Sequence, residues 1–199
     1  MSRIRGRRRR GGDGVPRVSV VGNSGSGKTK LARELAERLG VEHVELDAVF
    51  HLPGWQELDR EAFRAEVAAR AAGDNWVMCG NYSAVVDLVW ARADTVVWLD
   101  LPRRVVMRRV IGRTVRRSVT RTELWNGNRE PLTNLYRWNP ERSIIRWAWT
   151  HHGSYRRRYI EAMEDPRWAG LRFVHLTTAA EVARVLADAT ADRATDSPG

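Results

Sequence analysis

The residues with the clearest chemical meaning form a glycine-rich string near the start of the chain. Residues 22–29 read GNSGSGKT and fill every fixed position of the pattern G-x-x-x-x-G-K-[ST]. Glycines allow backbone N–H groups to turn inward on a phosphate, the lysine can reach the outer phosphates, and the final threonine can place its hydroxyl on Mg²⁺. The string therefore predicts a site for ATP and Mg²⁺. The residues predicted to bind this cofactor are Gly22, Asn23, Ser24, Gly25, Ser26, Gly27, Lys28 and Thr29.

The elements around the string are those that its chemistry requires. Val18–Val21 is a short β-branched run that ends at the first glycine, so a strand leads into the loop. Leu31, Leu35 and Leu39 then recur on one helical face. This spacing predicts a helix that starts at Lys28 and whose positive N-terminal end faces the loop.

The rest of the chain alternates between strand and helix patterns. Further strands are predicted at 41–46, 76–79, 95–100 and 171–176. Helices are predicted after Asp59, near 85–91, after Pro102, from Asn139 to Met163 and from Thr178, which opens a capping box with Glu181. This alternation predicts an α/β protein with a parallel sheet that is covered on both faces.

Three further strings follow the loop in a recognisable order: LDAVFHLPGW at 46–55, WVMCGNYS at 76–83 and RVIGR at 109–113. With these strings the chain resembles the nucleoside-monophosphate kinase-like branch of P-loop proteins, and in particular adenylate kinase-like and bacterial "DNA topology modulation" proteins. The resemblance implies a three-layer P-loop NTPase fold over 15–189, whose five-stranded parallel sheet has the order 2-3-1-4-5. It also implies an Arg-rich helical lid, inserted at about 113–141, and an ATP-dependent kinase acting on a nucleoside or nucleoside monophosphate.

The acceptor side is expected at the carboxyl ends of the second and third strands. Asp47 ends the second strand and is predicted to order Mg²⁺ together with Thr29, or to accept the proton of a substrate hydroxyl; the alternative is a cap of the next element. The residues predicted to contact the acceptor are Asp47, His51, Trp55, Gly80, Asn81 and Tyr82. Cys79 stands where related kinases commonly place an acid, and a neutral thiol is a poor ligand for a hard cation. Asp100 is the second choice for the missing carboxylate.

Arginines supply the expected cations around the transferred phosphoryl group. The resemblance implies that Arg109 stacks on the adenine and that Arg113 lies near phosphate. Arg142 and Arg146 are one helical turn apart and are candidate phosphate clamps, because guanidinium is a rigid fork for phosphate. The residues predicted to act in catalysis are Lys28, Asp47, Arg113, Arg142 and Arg146. The alternative for each arginine is a solvated surface position.

The charge distribution leaves a second function class open. The net charge is +10, and residues 103–158 hold fifteen arginines and three acids, while residues 1–14 hold six arginines and one acid. Such segregation predicts an anionic partner, and tryptophans interleaved with arginines can stack nucleobases. An ATP-regulated nucleic-acid-binding protein, which would use the basic tail and the lid, or a slow NTPase is therefore the alternative to a kinase.

Composition bounds the remaining choices. The apolar fraction of 43% and the charged fraction of 29% exclude a disordered or fibrous chain. No run approaches the roughly 18 apolar residues of a membrane helix, and one cysteine excludes a disulfide framework, so we expect a cytoplasmic protein. Residues 1–14 and 190–199 have little to bury and are expected to be disordered tails. The sequence leaves the oligomeric state open.

Overall fold

The computed structural model describes residues 16–120, 123–129 and 143–195, with the backbone alone at 118 and 190–195. The strands are β1 (Arg17–Gly22), β2 (Glu42–Glu45), β3 (Trp76–Cys79), β4 (Thr95–Leu99) and β5 (Arg172–Leu176). The helices are α1 (Lys28–Leu39), α2 (Leu46–Phe50), α3 (Arg60–Ala71), α4 (Val86–Arg92), α5 (Arg103–Thr120), α6 (Ile144–Glu164) and α7 (Ala179–Thr195).

All five strands are parallel and lie in the order β2-β3-β1-β4-β5, which confirms the predicted topology. In the register, Val20 of β1 lies beside Cys79 of β3, and Cys79 lies beside Glu45 of β2. Gly22 pairs in turn with Leu99 of β4. The carboxyl ends of four strands therefore meet at one edge of the sheet, where open α/β folds bind their ligands.

Two hydrophobic layers cover the sheet. Leu31 and Leu35 of α1 pack with Leu186 of α7 on one face. The other face is more aromatic, with Trp76 and Phe63 among its buried side chains. This arrangement is the three-layer α/β fold that alternating strands and helices predict.

The sequence correctly predicted the capping residues at the starts of two helices. The Asp59 carboxylate accepts hydrogen bonds from the N–H groups of Glu61 and Ala62, as expected of an N-cap. Thr178 Oγ1 accepts from the N–H of Glu181, whose carboxylate accepts in return from the N–H of Thr178, so the capping box is present.

Three boundaries differ from the prediction. Strand β2 ends at Glu45, and Asp47 lies in the first turn of α2, where an acid favours a helix start. Helix α7 continues to Thr195, so residues 190–195 are helical and not a tail; alanine-rich sequence there is a good helix former. Helix α5 runs past the expected lid start to Thr120. The predicted tail, residues 1–14, lies outside the described residues. The same holds for residues 121–122 and 130–141 of the predicted lid and for residues 196–199.

Among the described residues, no helix is both long enough and apolar enough to cross a membrane.

Candidate functional site

The glycine-rich string forms a loop between β1 and α1, and its backbone is shaped for an anion. Gly25 and Gly27 have φ of 82° and 98°, a region that favours glycine. A Cβ on Gly27 would meet one atom within 4 Å, Arg109 Nη1 at 3.5 Å, so the loop is open there. Ser26 Oγ is buried and has no hydrogen-bond partner among the described residues. An unsatisfied buried hydroxyl in an open cradle at a helix N-terminus fits a phosphate ligand.

Helix α5 lies across the same loop and brings two predicted arginines to it. Arg109 Nη1 donates to the carbonyl of Ser26 (2.9 Å), and Arg113 Nη2 donates to Ser24 Oγ (3.0 Å). Gly25 is tightly packed, because a Cβ there would lie 2.3 Å from Val110 Cγ2. The loop is therefore packed against α5, with two guanidinium groups beside it.

Two asparagines hold the loop through hydrogen bonds to the backbone. Asn81 accepts from the N–H of Gly22 (3.1 Å) and donates to the carbonyl of the same residue. The hydroxyl of Tyr159 also donates to Asn81 Oδ1 (3.1 Å). Asn23 Nδ2 donates to the carbonyl of Ala148 in α6 (2.8 Å). The structure thus places the Asn81 amide on the backbone of the loop at Gly22. The predicted contact of Asn81 with the acceptor stays a prediction.

A carboxylate that the sequence analysis missed lies beside the loop. Thr29 Oγ1 donates to Glu45 Oε1 (3.1 Å). Glu45 is the last residue of β2 and lies opposite Cys79 in the register. A carboxylate therefore lies one strand farther along the sheet than Cys79, the position at which the resemblance implies an acid. A charged residue within a strand was the signal that could have identified it.

Asp47 has a different neighbour. Its Oδ1 accepts a hydrogen bond from the hydroxyl of Tyr82 (2.7 Å). Burial, followed by the charge of Asp47, raises the pKa of Tyr82, so the phenol stays protonated and keeps donating. The pair holds the Asp47 carboxylate in one orientation at the carboxyl edge of the sheet.

Cys79 is buried and neutral. Burial is the main cause that raises the pKa of its thiol to about 12, and the charge of Glu45 adds to the effect. A protonated thiol supplies no charge to a divalent cation, so the oxygens of Thr29 and Glu45 are the suitable donors at this place. Among the described residues, no group of three or more histidines, cysteines, aspartates or glutamates could hold a metal ion. Two protein oxygens fit Mg²⁺, which binds through one or two protein ligands together with substrate phosphates.

Aromatic side chains lie among the residues predicted to contact the acceptor. Phe50 packs against Tyr82 with ring centroids 4.8 Å apart. His51 lies between Trp55 and Trp125, and its buried Nδ1 has no hydrogen-bond partner among the described residues. The Gly80 backbone passes close to α2, because a Cβ there would lie 2.7 Å from that of Leu46.

Three further candidates from the sequence are Arg142, Arg146 and Asp100. Arg146 is half-buried in the first turns of α6, and Arg142 lies outside the described residues. Asp100 is engaged by Arg156 (3.2 Å) and by His175 Nε2 (3.0 Å), so its carboxylate already has cationic and polar partners at the other side of the sheet.

No model of a known protein family matches the chain. Curated proteins are similar to it in sequence. Over 141 residues the chain is 33% identical to a cytidylate kinase from Pyrococcus furiosus, and the match covers 60% of this chain and 70% of that one. The chain belongs to the P-loop nucleoside-monophosphate kinase-like family. This membership confirms the resemblance drawn from the loop and the three strings that follow it.

This kinase-like chain is also similar to a second curated protein and to a solved structure. It is 35% identical to a shikimate kinase from Symbiobacterium thermophilum over 115 residues, which are 50% of this chain and 66% of the relative, just under two thirds. Among solved structures, a gluconokinase from Sinorhizobium meliloti 1021 is 22% identical, with a TM-score of 0.49 and coverage of 92% of this chain and 93% of that chain.

Proposed function

We propose that this P-loop kinase-like protein transfers the γ-phosphoryl group of ATP to a small acceptor, with nucleosides and nucleoside monophosphates as the first candidates. The observation that carries the proposal is the placement of two carboxylates at the edge of the sheet. Glu45 hydrogen-bonds to Thr29 of the loop, and Asp47, two residues later, hydrogen-bonds to Tyr82. One carboxylate thus serves the donor side and the other serves the acceptor side.

On the donor side, the loop backbone and Lys28 bind the phosphates of ATP. Thr29 and Glu45 would hold Mg²⁺, which would neutralise negative charge on the phosphates of ATP. Arg109 and Arg113, already in contact with the loop, add positive charge where negative charge spreads in the transition state.

On the acceptor side, Asp47 is oriented to accept the proton of an attacking hydroxyl. The protonated Tyr82 holds this carboxylate in place. The neighbouring rings of Phe50, His51 and Trp55 favour a planar acceptor, since aromatic faces stack on nucleobases. Hydroxyl attack assisted by Asp47 points to a nucleoside, whereas a phosphate clamp by Arg146 and Arg142 would point to a monophosphate.

The decisive experiment is ³¹P NMR of the full chain with ATP·Mg²⁺ and a panel of acceptors. The panel contains nucleosides, nucleoside monophosphates, shikimate and gluconate, and the Lys28→Ala variant is the control. ADP that appears only with an acceptor, together with a new phosphorylated product, supports the kinase. Hydrolysis that is stimulated by DNA or RNA without any phosphorylated acceptor refutes it and favours the nucleic-acid-binding alternative.

A further inference from the structure

Two short loops of the chain have the same closed form. We call residues 51–57 the first loop and residues 123–129 the second loop. An antiparallel bridge joins the first and last residue of each loop. Inside the bridges, the N–H of Leu52 donates to the carbonyl of Gln56 (2.8 Å), and the N–H of Leu124 donates to that of Asn128 (2.7 Å).

Each loop also turns through two consecutive residues with positive φ. These residues are Gly54 and Trp55 in the first loop, with φ of 72° and 60°, and Asn126 and Gly127 in the second, with φ of 56° and 77°. Two such residues in a row are typical of a tight type I′ hairpin turn, for which Asn-Gly is a strong signal. The loops are therefore preformed small hairpins and not irregular connections.

The two loops bind each other through the side chain of Asn128. This side chain is buried; its Nδ2 donates to the carbonyl of Leu52 (2.9 Å), and its Oδ1 accepts from the N–H of Trp55 (2.8 Å). One amide thus satisfies a backbone acceptor and a backbone donor of the first loop. Trp55 Nε1 donates in the opposite direction to the carbonyl of Arg129 (3.1 Å).

Asn126 extends this contact to the helix that carries Asp47. Its Nδ2 donates to the carbonyl of Ala48 (3.1 Å) and to the carbonyl of His51. The N–H of His51 in turn donates to the carbonyl of Asp47 (3.0 Å). Asn126 therefore satisfies the carbonyl of Ala48 in α2 and the carbonyl of His51, the C-cap residue of this helix. Carbonyls at a helix end need such partners from outside the helix.

We propose that Asn126 and Asn128 are positioning residues for phosphoryl transfer, which hold the Asp47 helix in a fixed place relative to the arginines of α5. The inference rests on the proposed function. The second loop comes three residues after α5, the helix that contacts the phosphate loop through Arg109 and Arg113. The pair of hairpins thereby links the acceptor side to the donor side of the site. Misplacement of a reacting group by about 1 Å can cost on the order of a hundredfold in rate.

The test uses Asn128→Ala and Asn126→Gly in the full chain. Glycine at 126 removes the amide and keeps the left-handed backbone, and Asn126 is exposed, so this variant is expected to fold even where Asn128→Ala does not. Asn75→Ala, at an exposed asparagine between α3 and β3, is the matched control. The measurements are kcat/KM for the acceptor, the affinity for ATP, the ratio of ADP formed to acceptor phosphorylated, and hydrogen exchange of residues 46–57.

We expect kcat/KM for the acceptor to fall about tenfold or more, and ADP formation to exceed acceptor phosphorylation, because a misplaced acceptor leaves room for water. ATP affinity should stay within about twofold, and exchange in residues 46–57 should rise only in the two loop variants. If the wild type phosphorylates an acceptor and the two loop variants leave both kcat/KM and hydrogen exchange unchanged, the positioning role alone is overturned. A wild-type chain that phosphorylates no acceptor overturns the proposed function and this role together.

Discussion

The division of labour between Glu45 and Asp47 can be tested with two isosteric substitutions. Glu45→Gln and Asp47→Asn each remove one negative charge and keep the size and an oxygen acceptor of the side chain. Thr29 and Tyr82 can therefore still donate, at 3.1 and 2.7 Å in the parent structure. Each hydrogen bond loses its charge assistance, which halves its strength and costs about 1 kcal/mol of stability. Both variants should fold.

Their activities should change in different ways. Glu45→Gln replaces the charged oxygen proposed to hold the metal with a neutral one. Loss of a partner outside the ligand shell already costs about 10- to 100-fold in metal affinity, and we expect at least this loss here. The Mg²⁺ concentration for half-maximal turnover should rise by at least that factor, while turnover at saturating Mg²⁺ stays within several-fold of the wild type. Asp47→Asn removes the proposed base, so turnover should fall about 10²- to 10⁴-fold with an unchanged Mg²⁺ midpoint.

Turnover against Mg²⁺ concentration, together with calorimetry of ATP binding with and without Mg²⁺, measures both effects. A raised Mg²⁺ midpoint in Asp47→Asn and none in Glu45→Gln would reverse the two roles and return the metal to Asp47, as the sequence first suggested. Unchanged turnover in both variants would refute the assignment of either carboxylate to the reaction.

Three other predictions follow from the loop and the core. Lys28→Ala should lose phosphoryl transfer in the NMR assay and bind ATP more weakly, because the lysine reaches the outer phosphates. Retained turnover in this variant would contradict the proposed kinase activity. Gly25→Ala should lower the free energy of unfolding in urea by about 2–5 kcal/mol, since its Cβ would lie 2.3 Å from Val110 Cγ2 at a φ of 82°. Gly112→Ala is the control: Gly112 lies within α5, and a Cβ there would meet nothing within 4 Å, so this variant should be stabilised by about 0.5–1 kcal/mol. Burial raises the pKa of the Cys79 thiol to about 12, so the thiol loses its proton on unfolding once the pH exceeds the pKa of an unfolded cysteine. Between about pH 9 and pH 10 the free energy of unfolding of the wild type should therefore fall by about 1 kcal/mol more than that of Cys79→Ala. An equal fall in both proteins would contradict the raised pKa.

Local patterns predicted the sheet and the phosphate loop because strand period, glycine positions and helix caps are properties of neighbouring residues. The contact between Glu45 and the loop could not be predicted in this way. Its partner Thr29 lies sixteen residues away, and its place opposite Cys79 exists only once β2 and β3 are paired. The same holds for Asn81, whose amide reaches back 59 residues to Gly22 and is thereby committed to the loop.

The acceptor side shows the same limit more strongly. The sequence marked Trp55 as an aromatic face and gave no sign that Asn128, 73 residues later, would accept its backbone N–H. The Asn-Gly pair at 126–127 is a turn signal, but a turn signal does not say what the turn contacts. Contacts between distant loops depend on how α2 and α5 are placed by the folded sheet.

The buried thiol of Cys79 has a practical consequence for spectroscopy. It is the one cysteine of the chain, it is almost fully covered, and it stays protonated at neutral pH. Thiol-directed spin labels and fluorophores react with the thiolate, so they should leave the native chain unmodified. A pair of cysteines introduced on the surface would then be labelled selectively without first removing Cys79, and distances across the molecule could be recorded while nucleotide and acceptor are added.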